Sequence, residues 1–237
     1  MTGAPGAAAL EMDELALTDW RRRTFAIYRE VREASSPEAA HEIWRAQRDE
    51  LFRDHPSSPL AGDDPLRDSG LPYWPYDPRW RYELEVVPTI SATRLSVNTG
   101  PKETTHLRRL GWVELPAPVD ATVDVWWLGQ YGGGLFLPLR DGTAGEGSYG
   151  GGRYLLDTVK GADLGTQGGR LIIDLNFLYH PSCRYESSWL CPLAPPGNTV
   201  TAPVEAGERL IRPQAAEGTE TGRLPPTASG PSKKSVG

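Results

Sequence analysis

Apolar residues near the N-terminus recur every three or four positions, which is the spacing of one face of an amphipathic helix. Arginines and glutamates occupy the opposite face. The pattern predicts a first helix that starts near Leu15, and it places the Arg21–Arg23 run on the solvated side as surface charge. The apolar face consists of Leu17, Trp20, Ile27, Tyr28 and Val31.

A second helix is predicted to follow almost at once. Ser36 is a suitable N-cap, Pro37 fits the first helical position, and Glu38 is favourable beside the helix dipole. The helix should end before His55, because a residue that precedes proline is pushed out of the helical region. Its buried face is expected to contain Ala40, Ile43, Trp44 and Leu51.

The central part of the chain changes to the two-residue alternation that is typical of β-strands. Glycine and proline, with 26 and 22 residues, separate these runs and mark turns. Short strands at such intervals predict a mainly β fold, an antiparallel sandwich or partly open barrel, with the two N-terminal helices packed on it. The alternating runs cover residues 82–87, 91–97, 104–115, 121–128, 135–139, 153–158 and 170–175.

Domain boundaries follow from where these patterns begin and end. Residues 1–14 are expected to form a flexible N-terminus, because small residues dominate their first part. Residues 15–212 are expected to form a single domain. Residues 213–237 are rich in Gly, Pro, Ser, Thr, Glu and Lys and contain almost no core-forming side chains, which predicts a disordered tail.

Composition and charge exclude some classes of partner. A hydrophobic content of 38% with eight Trp and nine Tyr is typical of a globular protein. The formal net charge of -6 and the lack of a basic block beyond the short arginine run argue against nucleic acid. No apolar run has the length of a membrane span, and no signal peptide is recognisable. We therefore expect a cytoplasmic protein with a small-molecule partner and leave its oligomeric state open.

Polar residues of catalytic type cluster around a glycine-rich reversal. Asp141 follows an apolar strand, and a hairpin would bring it close to Arg153. One interpretation is turn chemistry with an ion pair that holds the hairpin. The other is a site in which Arg153 orients an anionic or carbonyl group, Asp141 acts as base, and Tyr149 donates a hydrogen bond. Tyr154 and Asn198 are candidate substrate-binding residues beside this site.

A second pair of polar residues follows the last long apolar run. Asp174 and Asn176 alternate with apolar residues in a strand pattern, so their side chains are expected to share one face. Asp174 joins the candidate catalytic residues, and Asn176 joins the substrate-binding ones. A buried carboxylate needs a partner, and Arg153 or Arg170 is the candidate.

The two cysteines leave three interpretations open. Cys183 and Cys191 can be structural thiols or a disulfide, and this interpretation is favoured. They can also bind zinc or iron together with His180, in a His-x2-Cys-x7-Cys spacing whose fourth ligand would be His55, His106 or a carboxylate. The third possibility is a nucleophile or redox centre.

Motifs of the common cofactor enzymes are missing. The glycine runs at residues 132–134 and 150–152 lack the spacing of a phosphate-binding loop. The chain also contains no Gly-x-Ser-x-Gly and no His-Glu-x-x-His. No organic cofactor is expected.

These ordered motifs resemble a bacterial family known as domain of unknown function 1684, over a span from about Trp20 to Arg209. In that family an Asn usually stands where this chain has His180, which weakens a metal role for His180. The resemblance implies no activity. Its motifs are residues 55–60, 137–145, 149–155, 174–176, 179–183, 191–198 and 205–208.

Three hypotheses about function remain. The protein is an enzyme that acts on a small polar or anionic molecule, a small-ligand-binding protein that uses the same pocket, or a structural protein whose Asp, Arg and Cys residues only stabilise loops. The first is slightly favoured, because many ionisable and amide side chains fall in one stretch of sequence.

Overall fold

Two long N-terminal helices precede a β-rich body in the computed structural model, which describes residues 6–91, 93–100, 103–129 and 131–211. Helix α1 runs from Gly6 to Glu33, α2 from Pro37 to Asp54, and the short α3 from Leu66 to Ser69. Helix α1 thus extends into residues 1–14, the predicted flexible N-terminus, and residues 7–9 are alanines, the residue with the highest helix propensity. The remainder of that segment and the predicted tail lie outside the described residues.

The predicted bounds of α2 are confirmed. The Ser36 hydroxyl accepts a hydrogen bond from the Ala39 N–H at 3.2 Å, and His55 is the extended C-cap before Pro56. The two long helices pack together, and the Trp44 indole N–H donates to the Tyr28 hydroxyl at 3.2 Å.

Nine strands in the described ranges form two open antiparallel sheets, which confirms the sandwich prediction. The larger sheet has the order β2-β4-β5-β6-β7, and β3 also pairs with β4; the smaller sheet has the order β1-β9-β8. Within the described part of the chain neither sheet closes into a barrel. The strands are β1 Arg81–Leu84, β2 Val87–Pro88, β3 Arg94–Gly100, β4 Glu103–Leu115, β5 Ala121–Leu128, β6 Gly134–Leu139, β7 Arg153–Asp157, β8 Thr166–Gln167 and β9 Arg170–Asp174.

One apolar core joins the helices to both sheets. It includes Trp44 of α2, Leu139 of β6, Leu155 of β7 and Ile173 of β9, all of them almost completely buried. Because α1 and α2 cover the end of β7 and the turns that follow β9, side chains from distant parts of the sequence meet there. None of the described helices is long and apolar enough to span a bilayer.

Candidate functional site

Arg153 is completely buried, and its guanidinium donates hydrogen bonds to other groups of the protein. Nη2 donates to Asp141 Oδ2 at 2.8 Å and to the Val204 carbonyl at 2.9 Å. Nη1 donates to the Glu208 carbonyl at 3.0 Å and to the Ala206 carbonyl. We call this arrangement the Arg153 clamp, since it ties the start of β7 to the C-terminal segment 204–208.

Both carboxylate oxygens of Asp141 also accept hydrogen bonds within the fold. Its Oδ1 accepts hydrogen bonds from the Thr143 N–H at 2.9 Å, the Thr143 hydroxyl at 2.7 Å and the Val204 N–H at 3.1 Å. Burial alone would raise the pKa of Asp141, but the Arg153 charge and the Thr143 hydrogen bonds outweigh it and lower that pKa. The predicted proximity of Asp141 and Arg153 is thus confirmed. Their predicted catalytic roles find no support in this geometry, because the carboxylate and four guanidinium N–H groups already have partners.

The clamp continues into a buried ion network around Glu208. Its Oε2 accepts from Arg48 Nη2 at 2.9 Å and from the His180 backbone N–H at 2.8 Å, and its Oε1 lies 3.2 Å from His180 Nδ1. Burial would raise the pKa of Glu208, but His180 and Arg48 lower it to about 2. The other His180 nitrogen, Nε2, accepts the Tyr149 backbone N–H at 3.1 Å, and burial lowers the His180 pKa. His180 Nε2 therefore accepts a hydrogen bond within the fold, and Nδ1 faces the Glu208 carboxylate.

The proposed metal site does not assemble. His180 has no free nitrogen to offer, and no group of three His, Cys, Asp or Glu side chains in the described ranges is arranged to hold a metal ion. The two suggested fourth ligands lie elsewhere, since His55 contacts Asp19 and His106 contacts Ser96. A metal site formed by His180, Cys183 and Cys191 stays a prediction from their spacing.

Asp174 and Asn176 also differ from the prediction. Asn176 lies on a single 3-10 turn, Leu175–Phe177, rather than on a strand, and Asp174 caps this turn through the Asn176 N–H at 3.1 Å. The Asn176 amide bonds both backbone groups of Asp77, at 3.0 and 2.9 Å. Asp174 pairs with neither predicted arginine, because Arg153 is committed to the clamp and Arg170 contacts Glu85.

Asp174 lines a cleft of its own with Arg81 and Thr166, and burial raises its pKa from the ordinary 3.8 to about 6. Because the pKa of this carboxyl group is higher in the folded state, its ionisation lowers the free energy of unfolding. This loss grows as pH rises from about 3.8 to about 6. Asp174→Asn removes this cost and keeps an acceptor for Asn176, so we expect unfolding free energy near pH 7 to increase by about 1–3 kcal/mol.

Urea denaturation of both proteins near pH 4 and pH 7 measures this effect. The gain should shrink at the lower pH, where the wild-type carboxyl is protonated. Glu38 lies close enough to raise the Asp174 pKa further, so Glu38→Gln should act in the same direction with a smaller effect. A variant that is less stable than wild type near neutral pH would show that the Asp174 charge supports the fold.

Asn198 is a structural residue as well. Its amide donates to the Asp124 and Pro138 carbonyls, both at 2.8 Å, and its oxygen accepts from the Trp126 indole at 2.7 Å. All of its side-chain polar atoms are thereby engaged, and the side chain is completely buried. The predicted substrate-binding role of Asn198 finds no free group in this structure.

A cavity of about 90 Å³ lies between the helix pair and β7, and we call it the aromatic cavity. Of the predicted site residues only Tyr154 and Cys191 line it. The aromatic residues of α1 and α2 that line the cavity could not be recognised from the sequence, because they have the same spacing as core residues. The aromatic walls are Trp20, Tyr28, Trp44, Phe52, Tyr154 and Tyr179.

Three charged side chains complete this cavity. Asp157 is 3% exposed, burial raises its pKa, and its Oδ1 has no hydrogen-bond partner among the described residues. Its Oδ2 lies 3.7 Å from Lys160 Nζ, and Lys160 is half-exposed. Arg48 packs its guanidinium 4.4 Å from the centre of the Phe52 ring and 4.9 Å from that of Tyr179.

The two cysteines are free and partly exposed, and Cys191 lines the same cavity. Cys183 Sγ lies 4.0 Å from the Tyr149 hydroxyl. Burial raises the Tyr149 pKa. Tyr149 thus contacts a cysteine rather than the Asp141 carboxylate.

Together these features define a mainly β domain whose N-terminal helix pair covers a small aromatic cavity. The chain belongs to the family described as protein of unknown function (DUF1684), whose model matches residues 69–209. The resemblance inferred from the motifs is thereby confirmed. The match begins later than Trp20, so the helix pair and the motif at residues 55–60 lie outside it.

A solved structure shares this fold. It is the solution NMR structure of an uncharacterized protein from gene locus rrnAC0354 of Haloarcula marismortui, with 28% sequence identity and a TM-score of 0.50. The alignment covers 71% of this chain and 91% of that one. No curated protein matches. That protein comes from an archaeon, so a bacterial origin, which the resemblance to a bacterial family implies, stays a prediction.

Proposed function

We propose that this protein binds a small, largely apolar molecule that carries a hydrogen-bond donor, and that the aromatic cavity is the binding site. The observation that carries the proposal is the unpaired Oδ1 of Asp157, a buried carboxylate in a cavity with aromatic walls. Buried polar atoms without a partner are rare, and a bound molecule or water is the usual reason for one.

The walls suit an apolar ligand. Trp20 and Phe52 pack with ring centres 5.3 Å apart. Trp44 lies on α2 about two turns before Phe52. Removing apolar surface from water stabilises a complex by about 25 cal/mol per Å². The volume of about 90 Å³ is smaller than the roughly 150 Å³ that holds benzene, so a short branched chain fits directly. A single ring fits if the half-exposed Lys160 side chain moves outward.

The polar groups select the functional group of the ligand. Asp157 offers an acceptor, whereas the Arg48 charge is already compensated by Glu208 at 2.9 Å. An amine or alcohol can donate to Oδ1, but a carboxylate would repel Asp157. The clamp residues Asp141 and Arg153 take no part, since their hydrogen bonds are made inside the fold. This favours ligand binding over the enzyme hypothesis, which assigned catalysis to these two residues together with Tyr149 and Asp174.

A panel of isobutyl and benzyl amines, alcohols and carboxylates tests the proposal by NMR. We expect the amines and alcohols to shift the Trp44 indole N–H resonance, which the Trp44→Phe variant identifies, and the carboxylates to leave it unchanged. Asp157→Asn should weaken amine binding by about tenfold or more, because a hydrogen bond to a charged group contributes about 1.5–3 kcal/mol.

Asp174→Asn is the matched control, since it neutralises an equally buried carboxyl outside the aromatic cavity. Its ligand affinity should equal that of the wild type. The proposal is wrong if no member of the panel perturbs the Trp44 signal. It is also wrong if amines and carboxylates bind alike, or if Asp157→Asn leaves amine affinity unchanged.

A further inference from the structure

We propose that the cleft beside Asp174, which we call the Asp174 cleft, binds a small molecule that carries an ammonium group at one end and a carboxylate at the other. The cleft lies between the turn that joins α1 to α2 and the smaller sheet. Its volume of about 370 Å³ lies in the range of small-molecule sites. In the described part of the chain it shares no lining residue with the aromatic cavity, so the two sites are separate.

Asp174 supplies the negative group of this cleft. It is 2% exposed and lines the cleft from the end of β9. Its Oδ1 accepts hydrogen bonds from the Asn176 backbone N–H at 3.1 Å and from the Asn176 amide at 2.8 Å. Its Oδ2 has no hydrogen-bond partner among the described residues. A buried carboxylate normally has a partner for its charge, and an ammonium group in the cleft would be that partner.

The arginine opposite Asp174 does not compensate this charge. Arg81 of β1 faces Asp174 in the strand pairing, so both side chains lie on one face of the sheet. The Arg81 guanidinium instead donates to Glu83 Oε1 at 2.9 Å, and no ion pair joins Arg81 to Asp174. The Oδ2 atom of Asp174 therefore stays free for a ligand.

Arg32, in the last turn of α1, supplies the positive group. Its Nη1 donates to the Asp163 carbonyl at 2.6 Å, and its stem passes over Gly165, where an added Cβ would lie 3.0 Å from Arg32 Cδ. These contacts hold the guanidinium at the edge of the cleft. Within the described ranges no carboxylate pairs with it, so Nε and Nη2 can donate to a carboxylate as a bidentate pair.

The chemistry of the ligand follows from these two groups. A free carboxylate and a free guanidinium in one cleft favour a zwitterion, because a plain amine or a plain acid would leave one of the two protein charges without a partner. Val31, Ile172 and Phe177 also line the cleft, and these apolar side chains suit a methylene chain between the charged ends. The carboxylate of such a molecule would repel Asp157, which excludes it from the aromatic cavity.

Titration of the full chain with ω-amino acids tests the proposal by NMR. The Asn176 side-chain amide reports on the site, because its Nδ2 donates to Asp174 Oδ1. Glycine, 4-aminobutyrate and 6-aminohexanoate are each compared with the amine and the acid of matching chain length. At least one of the three should shift the Asn176 signal and bind about tenfold or more tightly than both of its analogues. Titrations near pH 7.5 keep Asp174 charged, because its pKa is about 6.

Two variants test the two charges separately. Asp174→Asn keeps an acceptor for Asn176 and should weaken binding of the zwitterion by about tenfold or more, because the ammonium group loses its counter-charge. Arg32→Met should weaken it by about threefold or more, a smaller effect because Arg32 is exposed. Arg29→Met is the matched control, since Arg29 is an exposed arginine of the same helix that does not line the cleft. Its affinity should equal that of the wild type.

Several results would overturn the proposal. The first is a wild-type protein whose Asn176 signal none of the three ω-amino acids shifts. The second is a plain amine or acid that binds as tightly as the zwitterion of the same length. Unchanged affinity in Asp174→Asn, or equal affinities of the Arg32 and Arg29 variants, would also show that these charges do not hold the ligand.

Discussion

Arg153→Met should lower the free energy of unfolding by about 4 kcal/mol, because it leaves the Asp141 carboxylate buried without its counter-charge. The Val204, Ala206 and Glu208 carbonyls lose their donors at the same time, and each unpaired buried group costs about 1–3 kcal/mol. The loss is large against the roughly 5–15 kcal/mol of a typical domain. Urea denaturation near pH 7, with the slopes of the transitions compared, measures it.

Arg140→Met is the matched control. Arg140 lies close to the clamp in sequence, but it is exposed and makes one side-chain hydrogen bond, to the Gly150 carbonyl at 2.9 Å. Loss of this hydrogen bond should lower the free energy of unfolding by about 0.5 kcal/mol or less. If Arg153→Met does not fold, Arg153→Lys retains the charge without the planar fork and should be intermediate in stability. Equal stability of the Arg153 and Arg140 variants would show that the clamp does not hold the fold together.

The helical part of the fold could be predicted because its signals are local. Ser36 and Pro37 begin α2, and Pro56 forces it to end, so three residues at the two ends of the helix set its bounds. Most strand positions could be predicted from alternation for the same reason. The division into two sheets could not, because β1 pairs with β9 through Arg81 opposite Asp174, and alternation carries no information on which strands pair.

The surroundings of Asp141 and Arg153 depend on distant backbone, which no local sequence pattern describes. The hairpin correctly placed Asp141 beside Arg153, yet three of the four N–H partners of Arg153 are other groups, namely carbonyls of segment 204–208. That segment approaches closely because Gly207 has a φ of +73° and no side chain to collide with Leu178. No local sequence pattern predicts that these carbonyls contact Arg153. A buried structural arginine and a substrate-binding arginine therefore look alike in sequence.

The aromatic cavity could not be predicted from the sequence for a different reason. Trp20, Tyr28 and Trp44 follow the helical spacing of a buried stripe, and they are indeed mostly buried. The same spacing arises whether the far side of each ring meets another side chain or an empty space. Asp157 was overlooked because it ends a strand of otherwise apolar residues, where a carboxylate is normally assigned to a turn.

Glu208→Gln should remove a pH-dependent contribution to stability that the Arg153 clamp variants retain. The carboxylate is held at a pKa of about 2, below the ordinary 4.5, by His180 and Arg48. Because the folded pKa is depressed, this contribution is present above about pH 4.5 and is lost as pH falls through about 2, and the shift corresponds to about 3 kcal/mol. The Arg48 guanidinium, 12% exposed, would also lose its counter-charge.

We therefore expect Glu208→Gln to be less stable than the wild type by about 3–5 kcal/mol near pH 7. The two unfolding free energies should converge as pH falls from about 4.5 toward 2, because the wild type alone loses the Glu208 charge there. Glu205→Gln, at an exposed position three residues earlier, should parallel the wild type at every pH. Denaturant titrations across this pH range provide the measurement. A constant gap between Glu208→Gln and wild type at all pH values would contradict a depressed pKa, because the carboxylate would then contribute through packing and hydrogen bonds rather than through its charge.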